Sequence, residues 1–149
     1  MNPANTRPLA IQPVTSDALW EAARAIRQRV FVEEQACPPE EEWDAHDWPT
    51  DRGQTCRHLL AVAPVTPGGP PQPVGVCRWR EGITPKAPTD SPSGERWAKL
   101  ERFAVAPEAR GRGIGRALVQ AALDDARARG HTRFVLYAQD HLREFYSAL

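Results

Sequence analysis

The chain predicts an α/β domain of the α+β kind, with a mixed, mostly antiparallel sheet and helices on both faces. Two observations carry this. Three strand-like segments, Cys56–Ala63, Pro73–Arg80 and Arg96–Val105, follow one another with no helix between them, which wants antiparallel pairing. The last of them leads into a helical run and then into Thr132–Ala138, a strand–helix–strand order that wants a parallel crossover. A length of 149 residues fits a single domain spanning 1–149.

Each element has its own signal. Leu9–Val14 is a short apolar strand, and "TSD" after it offers Thr15, Ser16 or Asp17 as a helix cap. From Ala18 to about Val32, Leu19, Ala22, Ala23, Ile26 and Val30 recur at helical spacing, with the arginines largely between them. "CPPEEEWDAHDWPTDRG" is a polar loop. "PVTPGGPPQP" is too rich in Pro and Gly for helix or ladder, so it joins two strands of a hairpin. Pro107 stops the strand ending at Val105. Ile114, Ala117, Leu118, Ala121 and Ala122 then form one face of a helix that Gly130 ends. "HLREFYSAL" reads as the start of a last helix.

Composition narrows the function. Nineteen basic and nineteen acidic side chains leave no net charge, which disfavours a dedicated nucleic-acid binder. Cys37, Cys56 and Cys77 are odd in number and widely spaced, as expected of free thiols in a reducing compartment, so the expected location is the cytoplasm. No apolar run approaches the about 20 residues of a membrane span. Asp44, His46 and Asp47 with His58 lack the helical His pair or Cys partner of a metal site, so no metal is expected. Cys56 or Cys77 beside His58 could form a nucleophile pair, but Cys77 stands among apolar residues and reads as core.

The chemistry concentrates in "ARGRGIGRALV". No Lys-Ser or Lys-Thr follows the glycines, which excludes a Walker A loop, and the spacing of Gly111, Gly113 and Gly115 excludes a dinucleotide fingerprint. What remains is a glycine turn between a strand and a helix. Glycines allow close backbone approach, first-turn N–H groups lack intrahelical partners, and the helix N-terminus carries about half a positive charge. Arg110, Arg112 and Arg116 add side-chain charge, so the loop is an anion site. The alternative is a tight turn with solvated arginines.

"LERFAVAPEARGRGIGRALV" resembles the acetyl-CoA-binding motif of the GNAT superfamily of N-acetyltransferases. "IRQRVFVEEQ", the acidic "EEEWDAHD" and "LYAQDHLREFY" resemble, in the same order, further segments of a small bacterial subgroup, so the likeness runs from Arg24 to Tyr146. It implies a GNAT-like sheet with a central splayed parallel pair. It implies that N–H groups of Arg110, Gly111, Arg112, Gly113, Ile114, Gly115 and Arg116 hold the pyrophosphate of acetyl-CoA. The main chain of Phe103, Ala104 and Val105 would bond the pantetheine arm, and Gln139 would touch the coenzyme. Tyr146 would protonate the leaving thiolate, as a phenol with an ordinary pKa near 10 can. Glu101, expected to share a face with Phe103 and Val105 by strand alternation, would take the amine's proton, or else would pair with Arg102 or Lys99.

The implied activity is acetyl transfer to the amine of a small molecule by direct attack, with no nucleic-acid or membrane partner. The alternative is an acyl-CoA-binding module without catalysis, acting as sensor or partner subunit. The acidic loop reads either as solvated surface or as a wall of the acceptor site, near Trp43, Trp48, Trp79 and Trp97. Family members usually continue past "FY" into further strands, whereas this chain stops at Leu149. The edge of Thr132–Ala138 is therefore expected to be open, and a homodimer is one way to cover it.

Overall fold

The computed structural model describes residues 9–81, 97–137 and 143–147, the last segment by main chain alone. Strand β1 (Ala10–Pro13) leads into helix α1 (Asp17–Arg27), which passes into a π-helical stretch, Gln28–Glu34. A single turn, α2 (Pro39–Glu42), precedes β2 (Cys56–Pro64), β3 (Pro71–Glu81) and β4 (Trp97–Val105). Helix α3 (Ile114–Ala128), β5 (Arg133–Tyr137) and β6 (Arg143–Ser147) follow. The six strands form one sheet in chain order, antiparallel except for the parallel pair β4–β5.

The two helices cover opposite faces, because strand alternation gives the sheet two apolar sides. Leu59, Ala61, Cys77, Trp79, Ala98, Leu100 and Phe134 pack under Ile114, Leu118, Ala122 and Ala126 of α3. Leu60, Val76 and Ala104 pack under Trp20, Ala23, Ile26, Val30 and Phe31 of the α1 layer. Ser16 caps α1, its Oγ accepting from Leu19 N–H at 3.2 Å. The approach of α3 is very close at Gly75: a Cβ there would stand 3.0 Å from Leu118 Cδ1 and 3.2 Å from Ile114 Cγ2 and Ala104 O. That contact sets the first turn of α3 beside the end of β4.

Two features depart from the sequence expectations. The helix read through about Val32 changes at Gln28 into a π-helix, where Gln35 N–H donates to Val30 O at 3.1 Å, five residues back. The wider turn lets both Val30 and Phe31 face the core. Second, Arg143–Ser147 is a strand and not the start of a helix. It pairs antiparallel with β5 from Arg133↔Ser147 to Tyr137↔Arg143. The aromatic residues Phe145 and Tyr146 suit a strand, and the ladder on β5 satisfies a backbone that a short terminal helix leaves fraying. The edge of β5 expected to lie open is therefore occupied by β6.

Candidate functional site

The parallel ladder between β4 and β5 runs from Trp97↔Arg133 to Leu100↔Leu136 and stops there. Past Leu100, β4 continues to Val105 with no pairing to β5 among the described residues, a fork in the ladder. A bulge sits at the fork: Val76 opposes Ala104 and Arg78 opposes Glu101, leaving Arg102 and Phe103 against Cys77 alone. Arg102 makes the bend with a φ of 60°.

The bulge corrects one expectation. Glu101 does not share a face with Phe103 and Val105. Arg102 breaks the alternation, so Phe103 and Val105 join the α3 side while Glu101 points to the α1 side with its neighbour Arg78. Trp79 is also on the α3 side, where its indole N–H donates to Asp125 Oδ2 at 2.7 Å. It stands apart from Trp43, which packs on the α1 side.

Beyond β4 comes the glycine turn. Gly111 and Gly113 hold φ of 83° and 77°, a left-handed conformation that costs a side chain about 1–2 kcal/mol. The first hydrogen bond into α3 runs from Ala117 N–H to Gly113 O at 3.0 Å. The N–H groups before it, at the first turn of a helix, are those left for a ligand. The arginines behave otherwise than expected. Arg110 donates from Nε to Val105 O at 3.0 Å and from Nη1 to Glu34 Oε2 at 2.9 Å. Arg112 donates to Pro64 O and Val65 O at 2.8 and 2.7 Å. Both fasten the loop to its neighbours, whereas Arg116 is exposed. Arg29, on the π-helical stretch, pairs with Glu108 at 2.8 Å and ties that stretch to the same turn.

On the α1 side of the fork lies a buried ionic network that the sequence did not reveal. Arg27 and Arg78 are each 1% exposed. Arg27 donates to Glu42 Oε2 at 2.7 Å and Asp47 Oδ1 at 2.6 Å. Arg78 donates to Glu101 Oε2 at 2.7 Å, Asp44 Oδ1 at 2.8 Å and Asp47 Oδ1 at 3.1 Å. Arg80 and Lys99 also reach Glu101, each at 3.1 Å. The acidic loop is thus clamped onto the sheet, and Glu42 and Asp47 are buried and not solvated. Burial works to raise the pKa of Glu101, but the charges of Arg78, Lys99 and Arg80 outweigh it and hold it down to about 2. Glu101 thus makes the ion pair with Lys99 that the sequence offered as one alternative.

His58 lies inside the same network, its Nε2 3.2 Å from His46 O and 3.8 Å from Asp47 Oδ1. Burial keeps its pKa well below the ordinary 6.5, helped by the charges of Arg27 and Arg78 and opposed by the His46 carbonyl and Asp47. Cys56, 3.9 Å from His58, has its thiol pushed up to about 12 by burial and is no nucleophile. Acid should therefore unfold the domain in two stages. A depressed histidine means that the unfolded chain takes the proton first, so stability falls as pH drops below 6.5. Glu101, depressed from 4.5, then loses its contribution as pH falls toward 2. Melting temperature measured from pH 8 to pH 3 is expected to be flat above 7 and to decline below 6.5, more steeply below 4.5; a level curve from 7 to 5 contradicts the buried neutral histidine.

Two expected residues have less to report. Gln139 lies outside the described residues. Tyr146 stands opposite Phe134 in register, on β6, so β5 separates its main chain from β4. Among the described residues no group of His, Cys, Asp and Glu could hold a metal ion, and no helix is long and apolar enough to cross a membrane.

A parallel pair that parts and a glycine turn that joins its first strand to a helix are the features on which the likeness to the GNAT superfamily rests. The Acetyltransferase (GNAT) family model matches residues 20–149. The chain belongs to the GNAT acetyltransferase family. A Bacillus subtilis (strain 168) protein named as an acetyltransferase is 32% identical over 140 residues, covering 93% of this chain and 80% of its own. The crystal structure of a GNAT family acetyltransferase from Brucella melitensis in complex with acetyl-CoA matches with a TM-score of 0.68 at 17% identity, over 94% of this chain and 88% of that one. An aminoglycoside acetyltransferase from an uncultured soil metagenomic sample matches with a TM-score of 0.62 at 20% identity, over 91% of this chain and 82% of that one. At such identities the two solved structures speak for the GNAT fold and not for the acceptor.

Proposed function

We propose that this GNAT chain transfers an acetyl group from acetyl-CoA to the amine of a small molecule by direct attack. The observation that carries the reading is the first turn of α3, with its left-handed glycines and open N–H groups, at the end of a strand that has left its partner. The residues fit the coenzyme. N–H groups from Gly111 to Arg116 would hold its pyrophosphate, as helix N-termini hold anions, while the N–H of Arg110 is turned to Pro107 O at 3.4 Å. The free edge of Phe103, Ala104 and Val105 would pair with the pantetheine arm as a neighbouring strand would. Bound there, acetyl-CoA supplies the activated thioester.

The chain's own groups would do the rest. The bulge leaves main-chain groups at Arg102 and Phe103 outside the β3 ladder, and an N–H aimed there would stabilise negative charge developing on the acyl oxygen. Glu101, held ionised among Arg78, Arg80 and Lys99, fixes the fork in this reading and takes no proton. Turnover would then rise with pH toward the acceptor amine's own pKa. Tyr146 would donate a proton to the leaving thiolate.

Release of coenzyme A thiol across a panel of amines tests the activity. Turnover is expected with at least one of them, and Tyr146→Phe is expected to lower turnover more than coenzyme affinity. Equal loss of both would assign Tyr146 a structural role. Acetyl-CoA binding with no thiol release from any amine would return the non-catalytic module instead.

A further inference from the structure

We infer that the acceptor carries an anionic group, a carboxylate or its equivalent, close to its amine, and that Arg102 binds it. This rests on the acetyl-transfer reading and names the acceptor class for that same fork. Arg102 occupies a left-handed conformation that a bulky residue adopts only where its surroundings enforce it. The bend aims its guanidinium to the α1 side, toward the acidic loop. There it is held loosely: Nε is buried with no hydrogen-bond partner, and the nearest carboxylate oxygens are Glu42 Oε1 at 3.5 Å and Asp44 Oδ2 at 3.7 Å. Nη2 stands 3.7 Å from Asp44 Oδ2, beyond hydrogen-bond distance, on a side chain about a quarter exposed, so this end of the guanidinium can still donate to an incoming acceptor. A planar carboxylate suits the guanidinium fork.

The charges around it argue in the same direction. Glu42, Asp47 and Glu101 are buried and make their close contacts with Arg27, Arg78, Arg80 and Lys99, Glu42 Oε1 alone turning to Arg102 at 3.5 Å. Arg80 and Arg102 are each about a quarter exposed, so the network turns guanidinium groups outward and keeps most of its carboxylates in. Asp44 is the exception at 34% exposure, and both Arg78 and Arg102 already face it. A polycation such as an aminoglycoside therefore finds its attractive charges already neutralised, while an anion finds Arg102.

The test uses matched acceptors that differ in one charge: an α-amino acid, its carboxamide, and an aminoglycoside, with thiol release giving kcat/KM. The wild type is expected to prefer the free carboxylate by about 100-fold over the amide. Arg102→Gln should bring that ratio near unity through KM, and Arg102→Lys, which keeps the charge, should restore part of it. Circular dichroism checks that both variants fold. A wild type with no carboxylate preference, a preference that survives in Arg102→Gln, or an aminoglycoside as the best acceptor overturns the inference alone. A wild type that fails to bind acetyl-CoA overturns the acetyl-transfer reading and this inference with it.

Discussion

Gly113→Val is expected to weaken coenzyme A binding by about 100-fold or more while the domain stays folded. The reasoning is conformational and not steric. Nothing lies within 4 Å of a Cβ built on Gly113, so a side chain has room. What it lacks is a backbone that tolerates a φ of 77°, least of all with a β-branched residue. The chain would relieve the strain by rotating the peptide units next to Gly113. Those units aim the N–H groups at the start of α3, so the anion site would lose its geometry before the helix lost its packing. Gly53 supplies the control. It has a φ of 90° and nothing within 4 Å, but it lies in the loop ahead of β2. Gly53→Val should cost similar stability and leave coenzyme A affinity alone. Calorimetric titration of both variants decides the matter. Equal affinity in Gly113→Val and the wild type removes the loop from the account.

Arg78→Met is expected to lower the melting temperature by about 10 °C, the effect of about 3 kcal/mol on a domain of this size. A buried ion pair adds little net stability when formed, but removing one partner leaves the other charges buried without compensation. Arg78 serves Asp44, Asp47 and Glu101 at once, from β3 to the acidic loop and to β4. Arg78→Lys keeps one charge but cannot span three carboxylates, so it should recover only part of the loss. The exposed pair Arg29–Glu108 makes the contrast: Arg29→Ala should leave the melting temperature unchanged, because water replaces the partner. A melting temperature for Arg78→Met within about 2 °C of wild type would show that the network is not clamping the loop.

Much of the sheet was legible in the sequence. The segment Cys56–Ala63 is observed as Cys56–Pro64, Pro73–Arg80 as Pro71–Glu81 and Thr132–Ala138 as Arg133–Tyr137. Apolar runs bounded by Pro and Gly mark these strands whatever they pair with. The glycine turn between β4 and α3 was legible for the same reason, since glycines at a strand-to-helix turn have a backbone meaning. Arg27 and Arg78 were not. A buried arginine looks like a solvated one until its partners are known, and these partners lie 15 to 34 residues away. The bulge was also hidden. Nothing in "LERFAV" says that Arg102 will adopt a left-handed turn, and that one residue moves Glu101 to the opposite side of the sheet from Phe103. The last strand was misread because nine residues, "HLREFYSAL", admit helix or strand, and the free edge of β5 decides between them.

Coenzyme A is expected to lie along the forked part of β4 with its pyrophosphate on the first turn of α3. Backbone amide NMR of the full chain, titrated with coenzyme A, reads this residue by residue. The largest shifts are expected at Gly111–Arg116 and at Arg102–Val105, with Gly53 unmoved. Shifts centred elsewhere, or none at millimolar coenzyme A, would contradict it.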